Sequence, residues 1–447
     1  MALLDSFVAV SVKTPLSDGH PGIEMVEAVK FEEGDETPLW QVGGRSFLDT
    51  ALSLSEFVGD LPIVGYGIEG GLDVVRDLVG DTDESSVIDA CFLARCLFPT
   101  LHDHRLTTVA ALLEVTGETP PDLIGRVFEE LVEALTDKGI AVLQVMLHLI
   151  DGTGSAMVRV LAEAANRLAR GGGRGSSKME GRQADWQEVF GIEDEEPIGE
   201  AGTPGTIDAQ AIREMFDAGG LCSRHLQGYE VREPQIAMAL AVAEAFNEGK
   251  FLVVEAGTGT GKSIAYLVPA VVWAVQNRTR VILSTNTKPL QDQLVTKDLP
   301  QLLSTLGTPF TYTLLKGRGN YICLNRWTAV LQRVGTSLSR DERVAALLLV
   351  VWAMETTTGD MTEHRGFDAS RHAGLWNKVC SDPVFCRGSR CRSGLRCFSA
   401  SARRTAQRSQ VVVVNHSLLF SDLASDHAIL SVYRYVVFDE AHHLEKV

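Results

Sequence analysis

Nothing in this chain constrains its fold as tightly as FLVVEAGTGTGKSIAYLVPAVVWAV, residues 251–275. The β-branched apolar run at 251–254 predicts a strand. It leads into Ala256, Gly257, Thr258, Gly259, Thr260, Gly261, Lys262 and Ser263, and a helical apolar pattern follows. Glycines let successive backbone N–H groups turn inward around phosphate oxygens. The helix N-terminus adds partial positive charge. Lys262 is long enough to reach β- and γ-phosphates, and the Ser263 hydroxyl is a Mg²⁺ ligand in such a loop. Ala256 stands where the GxxxxGK[ST] pattern has its first glycine, a small-for-small exchange. The expectation is an α/β protein with ATP and Mg²⁺ as cofactors.

A partner motif lies about 175 residues downstream, in VYRYVVFDEAHH. The apolar run delivers Asp439 and Glu440 at a strand's C-terminal end, where open α/β sheets bind ligands. Asp439 is expected to hold Mg²⁺ through water, and Glu440 to polarise the attacking water. Asp-Glu after a strand is common in solvated loops; following a phosphate loop, it becomes specific.

The chain has 447 residues and a net charge of −17, which by itself argues against a nucleic-acid binder. The charge is uneven. Residues 316–408 hold 16 basic and 7 acidic side chains, a net of +9, which leaves −26 for the rest. No signal peptide is visible in MALLDSFVAV, and the apolar run at 344–354 is too short to span a bilayer, so it reads as a buried helix. Eight cysteines without such a signal fit a reduced, cytoplasmic compartment. Four of them, Cys380, Cys386, Cys391 and Cys397, are spaced C-x5-C-x4-C-x5-C in the basic island, with Cys323 upstream. Zinc ribbons prefer C-x2-C knuckles, and wider gaps suit an iron–sulfur cluster. Zinc and unligated thiols stay open, and spacing does not select four of the five. Arg387, Arg390, Arg392 and Arg396 among them can offset cluster charge and reach a DNA backbone.

The front of the chain is mixed. FVAVSVK and LPIVGYG predict strands; SSVIDACFLARCLFP and PDLIGRVFEELVEAL predict helices, and residues 141–170 continue helically. Glycine, serine and acidic residues at 171–206 predict a linker.

With these motifs in place, residues 206–447 resemble the first motor domain of DinG/XPD-type iron–sulfur superfamily 2 DNA helicases. GYEVREPQIAMALAVAEAF resembles the stretch whose glutamine, here Gln235, reads adenine. ILSTNTKPLQDQL resembles the motif Ia that touches the DNA backbone. LKGRGNYICLNR and CRGSRC…RCF resemble the 4Fe-4S insertion, and VVVVNHSLLFSDL the segment before the DEAH box. The resemblance implies Cys323, Cys386, Cys391 and Cys397 as cluster ligands, with Cys380 spare, and 5′→3′ movement on single-stranded or forked DNA. It divides the chain into an exonuclease-like domain at 1–150, a helical extension and acidic linker at 151–206, and a RecA-like domain at 207–447 with the cluster insertion at 316–410. It also implies that turnover needs a second RecA-like domain with motifs III–VI, expected to be absent from this chain and supplied by a second one. A rival is a nucleotide- and DNA-binding platform that does not hydrolyse.

The front resembles the RNase H-like, DnaQ-type exonuclease domain fused to some members. Ser11 and Lys13 stand where its first motif has two metal-binding carboxylates, and Gly71 where the second has aspartate. Asp89 remains, with Glu69 and Asp73 nearby in sequence. The expectation is a degenerate domain, with 3′→5′ exonuclease activity the less favoured alternative.

Overall fold

A computed structural model describes residues 6–13, 23–32, 35–36, 39–44, 46–67, 72–80, 87–170, 204–226, 228–257, 259–391 and 396–446. The expected linker at 171–206 falls almost wholly outside them, as do Glu69, Gly71 and Thr258. The chain divides into two compact units. One joins Met1–Ala184 to Gly319–Leu395; the other joins Asp185–Arg318 to Arg396–Val447.

The first unit is built on six strands: β1 (Ser6–Lys13), β2 (Met25–Glu32), β3 (Asp35–Glu36), β4 (Trp40–Gly43), β5 (Ile63–Gly65) and β6 (Val87–Asp89). The order is β3-β2-β1-β5-β6, with β4 also pairing β2. β1 runs antiparallel to β2 and parallel to β5, and β5 runs parallel to β6. Both faces of β1 are covered, so it reads as a nearly continuous apolar run. Val8 and Val10 face one core cluster, while Phe7 stacks on Phe31 at 4.8 Å and meets Phe128 edge-on at 5.2 Å. Phe128 belongs to the helix Pro120–Asp137. A Cβ at Gly125 of that helix would lie 2.1 Å from the Phe31 ring, so only glycine allows this approach. Val87–Asp89 forms a strand where the sequence pattern predicts a continuous helix, because β5 offers it ladder bonds. The helix begins at Ala90, capped by Asp89.

The second segment of this unit brings the helix Arg340–Glu355, which packs on the helices Ala90–Leu97 and Ile140–Ile150. Ser339 and Glu342 close a capping box at its start. Every side chain from Ala345 to Trp352 is buried, as the apolar run predicts. Arg343 donates to the Leu149 carbonyl at 2.7 Å and to that of Asp151 at 2.5 Å, and Lys138 pairs with Glu355 at 2.6 Å. Each fully buried Leu or Val there contributes about 1.5–3 kcal/mol.

The second unit carries four parallel strands, β7 (Val281–Thr285), β8 (Tyr312–Leu314), β9 (Val411–Asn415) and β10 (Tyr435–Phe438), in the order β10-β7-β9-β8. The helices Glu233–Glu248 and Lys262–Gln276 cover one face. Ile282, Val412 and Val414 point to the other, toward Leu418 and Leu419 of the helix His416–Ala424. The expected strand at 251–254 is not formed: Phe251 and Val253 are fully exposed, at 106% and 96%. A strand needs ladder bonds from a neighbour. Among the described residues, β10 pairs only with β7, and nothing pairs with 251–254.

Candidate nucleotide site

The helix Lys262–Gln276 starts at Gly261, whose φ of +78° lies in the left-handed region, as does the +79° of Gly259. These glycines turn the chain sharply enough to open the helix directly behind the loop. Thr260 Oγ1 donates to the Gly257 carbonyl at 2.8 Å, and Arg232 donates to the carbonyl of Gly259. Gln235 is buried, and its amide nitrogen donates to the Gly261 carbonyl at 3.0 Å. Its Oε1 is buried without a partner among the described residues. An orphaned acceptor beside the phosphate loop fits an exocyclic amino group such as adenine's.

β10 delivers Asp439 and Glu440 toward the same loop. The Asp439 amide donates to the Ser284 carbonyl at 2.8 Å, which extends the β7 ladder by one bond. Glu440 then turns sharply, with a φ of +54°. Non-glycine residues hold that conformation at a cost of about 1–3 kcal/mol, often where function requires it. Lys262 Nζ lies 3.7 Å from Glu440 Oε1, and His442 lies 3.4 Å from the other oxygen. Burial pushes the Asp439 carboxyl up from its ordinary range, opposed by a hydrogen bond from Tyr266. Asp298, at the end of a π-helical turn over Leu294–Asp298, is also raised by burial and is held by Gln293 at 3.1 Å.

Lys262, Asp439 and Glu440, distant in sequence, are thus brought together, with Ser263 on the first turn behind the loop. Arg232 and Tyr266 were not singled out from sequence. Arg232 lies three residues before Gln235, an exposed charge with no pattern of its own. Tyr266 reads as core. ATP and Mg²⁺ fit the chemistry of this site: a glycine-rich turn ahead of a helix, a lysine, a hydroxyl and a half-buried carboxylate are present, with an unsatisfied acceptor close to the turn.

The cysteines behave differently. None of the eight is in a disulfide. Cys323 begins the helix Leu324–Leu331, and its amide donates to Val379 O at 2.8 Å, which brings it beside buried Cys380. Arg326 of that helix donates to the Cys380 carbonyl at 2.7 Å and lies over the Phe385 ring at 4.9 Å, next to exposed Cys386. Cys391 follows a short turn at Gly388–Arg390, and Cys397 starts the helix Phe398–Arg408 in the other unit. The donor chemistry fits iron or zinc. Among the described residues, however, no three Cys, His, Asp or Glu side chains are gathered as a metal site. Residues 392–395, between the last two thiols, lie outside the description.

In the front sheet, Lys13 Nζ sits 3.3 Å from Glu27 Oε1, and Gln41 donates to the same oxygen at 2.7 Å. Ser11 lies directly across from Glu27 in the β1–β2 register. Asp89 accepts from the Gly67 amide at 3.2 Å and the Cys91 amide at 2.9 Å, and burial raises its pKa. Asp73 is exposed, 3.7 Å from Arg76.

Residues 237–319 match the DEAD/DEAH box helicase family. The chain is 37% identical over 242 residues to the ATP-dependent DNA helicase YoaA of Haemophilus influenzae, which is 53% of this chain and 36% of that protein. It is 42% identical over 233 residues to the ATP-dependent helicase DinG of Mycobacterium tuberculosis, 48% of this chain and 34% of the relative. A longer match, 29% over 376 residues, is to the 3′-5′ exonuclease DinG of Bacillus subtilis and covers 81% of this chain and 38% of that one. The chain therefore spans little more than a third of the length of these relatives. The residues matched to the DEAD/DEAH box helicase family include Lys262, which the fold brings to Glu440, and the chain is similar over about half of its length to the ATP-dependent helicases DinG and YoaA.

Proposed function

We propose that the chain is the nucleotide- and DNA-binding portion of a DinG-like DNA helicase that moves 5′→3′ on single-stranded or forked DNA. The observation that carries this reading is Lys262 held 3.7 Å from Glu440 at the mouth of the loop. Mg²⁺ would supply charge neutralisation to the phosphates when bound. Ser263 and Asp439 would hold it, Lys262 would bind the phosphates, Glu440 would orient water, and Gln235 would read the base through its orphaned oxygen. Thr287, which caps the helix Lys288–Gln293, belongs to the stretch assigned to the DNA backbone. Phosphoryl transfer in this class also uses an arginine from across the cleft. We assign it to a second RecA-like domain, in the same polypeptide or in a second chain carrying motifs III–VI. The test is Mg²⁺-dependent ATP binding by the full chain, then DNA-stimulated phosphate release with and without that domain. No binding at about 1 mM ATP, the upper end of ordinary KM values, overturns the reading. Binding without turnover even after the second domain is added favours the non-hydrolysing platform.

For the basic island we propose a 4Fe-4S cluster on Cys323, Cys386, Cys391 and Cys397. The family spacing supports it, as does a donor set free of disulfides. For residues 1–150 we propose an RNase H-like, DnaQ-type fold without nuclease chemistry, followed by an extension and linker at 151–206 and a RecA-like domain at 207–447. The strand order β3-β2-β1-β5-β6 supports that fold. Lys13 neutralises Glu27 where metal ligands are needed, and Asp89 is engaged as a helix cap. The name of the Bacillus subtilis relative favours a second reading, retained 3′→5′ exonuclease activity. The full chain, incubated with end-labelled single-stranded DNA and Mn²⁺, is expected to leave it intact. Metal-dependent trimming abolished by Asp89→Ala would establish the second reading.

A further inference from the structure

We propose that Tyr266 is a positioning residue for the magnesium-binding pair Ser263 and Asp439. The inference rests on the nucleotide-site reading above and names a residue that reading does not use.

Tyr266 lies three residues after Ser263 on the helix Lys262–Gln276, so both project from one face. Its ring is buried in the apolar cluster between that helix and the sheet. A phenylalanine would fill the same volume. A phenol hydroxyl in that environment is costly unless it is hydrogen-bonded. The hydroxyl, on the helix that carries Ser263 one turn earlier, is satisfied at the end of β10, where it donates to Asp439 Oδ2 at 3.1 Å. The other carboxylate oxygen, Oδ1, accepts the Glu440 amide at 3.1 Å. Both oxygens of Asp439 are therefore oriented before any cation arrives. One is held by a group anchored in the core, the other by the chain's own next residue.

The consequence is preorganisation. Ser263 rides on the loop and Asp439 on the sheet, and the sequence separates them by 176 positions. A buried tyrosine on the helix of Ser263 that holds Asp439 by its hydroxyl ties the two ligands' elements together independently of nucleotide. Outer partners of this kind orient metal ligands, and their removal typically costs 10–100-fold in metal affinity.

The test replaces Tyr266 by Phe in the full chain, which keeps the ring and removes the hydroxyl. Binding of a fluorescent ATP analogue is titrated at a series of Mg²⁺ concentrations, with Mn²⁺ binding to the nucleotide complex followed by electron paramagnetic resonance. Asp439→Asn and Lys262→Ala serve as references. The Mg²⁺ concentration for half-maximal effect is expected to rise about tenfold in Tyr266→Phe, with Mn²⁺ affinity falling in parallel. An unchanged Mg²⁺ requirement overturns the inference. So does an equal loss of nucleotide binding at every Mg²⁺ concentration, which marks a packing role. If Tyr266→Phe melts well below the parent chain, Ser263→Ala combined with it decides. Additive losses in Mn²⁺ affinity overturn the coupling, and non-additive losses support it. Failure of the unmodified chain to bind nucleotide overturns the underlying reading itself, a separate and recognisable result.

Discussion

At the scale of single residues, Lys262 is the most consequential side chain of the nucleotide site. It pairs with Glu440 as one of two half-exposed groups, and under the function proposed above that pair is a placeholder for phosphate. Removing it takes away charge-assisted hydrogen bonds of about 1.5–3 kcal/mol. Lys262→Ala is therefore expected to weaken Mg·ATP binding about 10–100-fold, read by equilibrium titration, while melting near the parent temperature. The thiols give a second residue-scale expectation. Anaerobically prepared chain should be brown and contain about four irons and four sulfides, the stoichiometry of the cluster type. Cys386→Ser should bleach it, and Cys380→Ser, at a buried thiol, should not. Stoichiometric zinc in place of iron would refute the assignment. Asp439 and Glu440 were legible in sequence because a loop motif and a strand-end motif confirm each other across the chain. Tyr266 was not, because a tyrosine inside SIAYLVPAVV is indistinguishable from core until β10 is seen to end at its hydroxyl.

At the scale of elements, two apolar stretches meet opposite fates. The run at 344–354 reads as a buried helix and is one, with Leu347 and Leu349 fully buried. Leu349→Ala is expected to cost about 2–5 kcal/mol, measured by urea unfolding. The run at 251–254 reads as a strand, yet Val253 is exposed and unpaired. Val253→Thr in the same chain is expected to stay within about 0.5 kcal/mol of the parent; a loss of the Leu349→Ala size would show that this segment is paired in solution. The difference lies in where the bonds come from. A helix satisfies its backbone internally, so periodicity nearly suffices to identify it. A strand depends on a neighbour the local sequence does not name. The same rule explains Val87–Asp89, three residues taken from a predicted helix by β5. VILST and VVVV form parallel strands covered on both faces, which is why each is a continuous run with little alternation.

At the scale of the whole molecule, the first unit is assembled from two segments of chain far apart in sequence, and its pH response should report that junction. His364, from the later segment, is buried, with Nε2 bonded to the Leu348 carbonyl at 2.8 Å and Nδ1 lacking a partner among the described residues. His104, from the earlier one, faces it, and Trp352 packs on its ring at 5.7 Å. Burial pulls the His364 pKa down from 6.5 to about 4. Because the unfolded chain binds this proton more readily than the folded one, stability is expected to be full above pH 6.5 and to fall as pH drops toward about 4. Melting curves at pH 7 and pH 5 check the direction. His364→Gln should flatten the difference, and an unchanged slope would place the acid sensitivity elsewhere.

The same two-segment construction sets an order of events during synthesis. The helix Arg340–Glu355 covers apolar faces of helices completed near residues 97 and 150. Between Ala184 and Gly319 lie 134 residues, all belonging to the other unit. At about 5–20 residues per second, a ribosome takes roughly 7–27 s to cross that gap. For that interval the helices Ala90–Leu97 and Ile140–Ile150 lack the helix that covers them in the finished unit. The second unit waits in turn, since β7 and β8 emerge before the insertion while β9 and β10 emerge after it. Neither half of the chain can close until translation has passed through the cysteine-bearing island, so a ribosome stalled there would leave both unfinished at once.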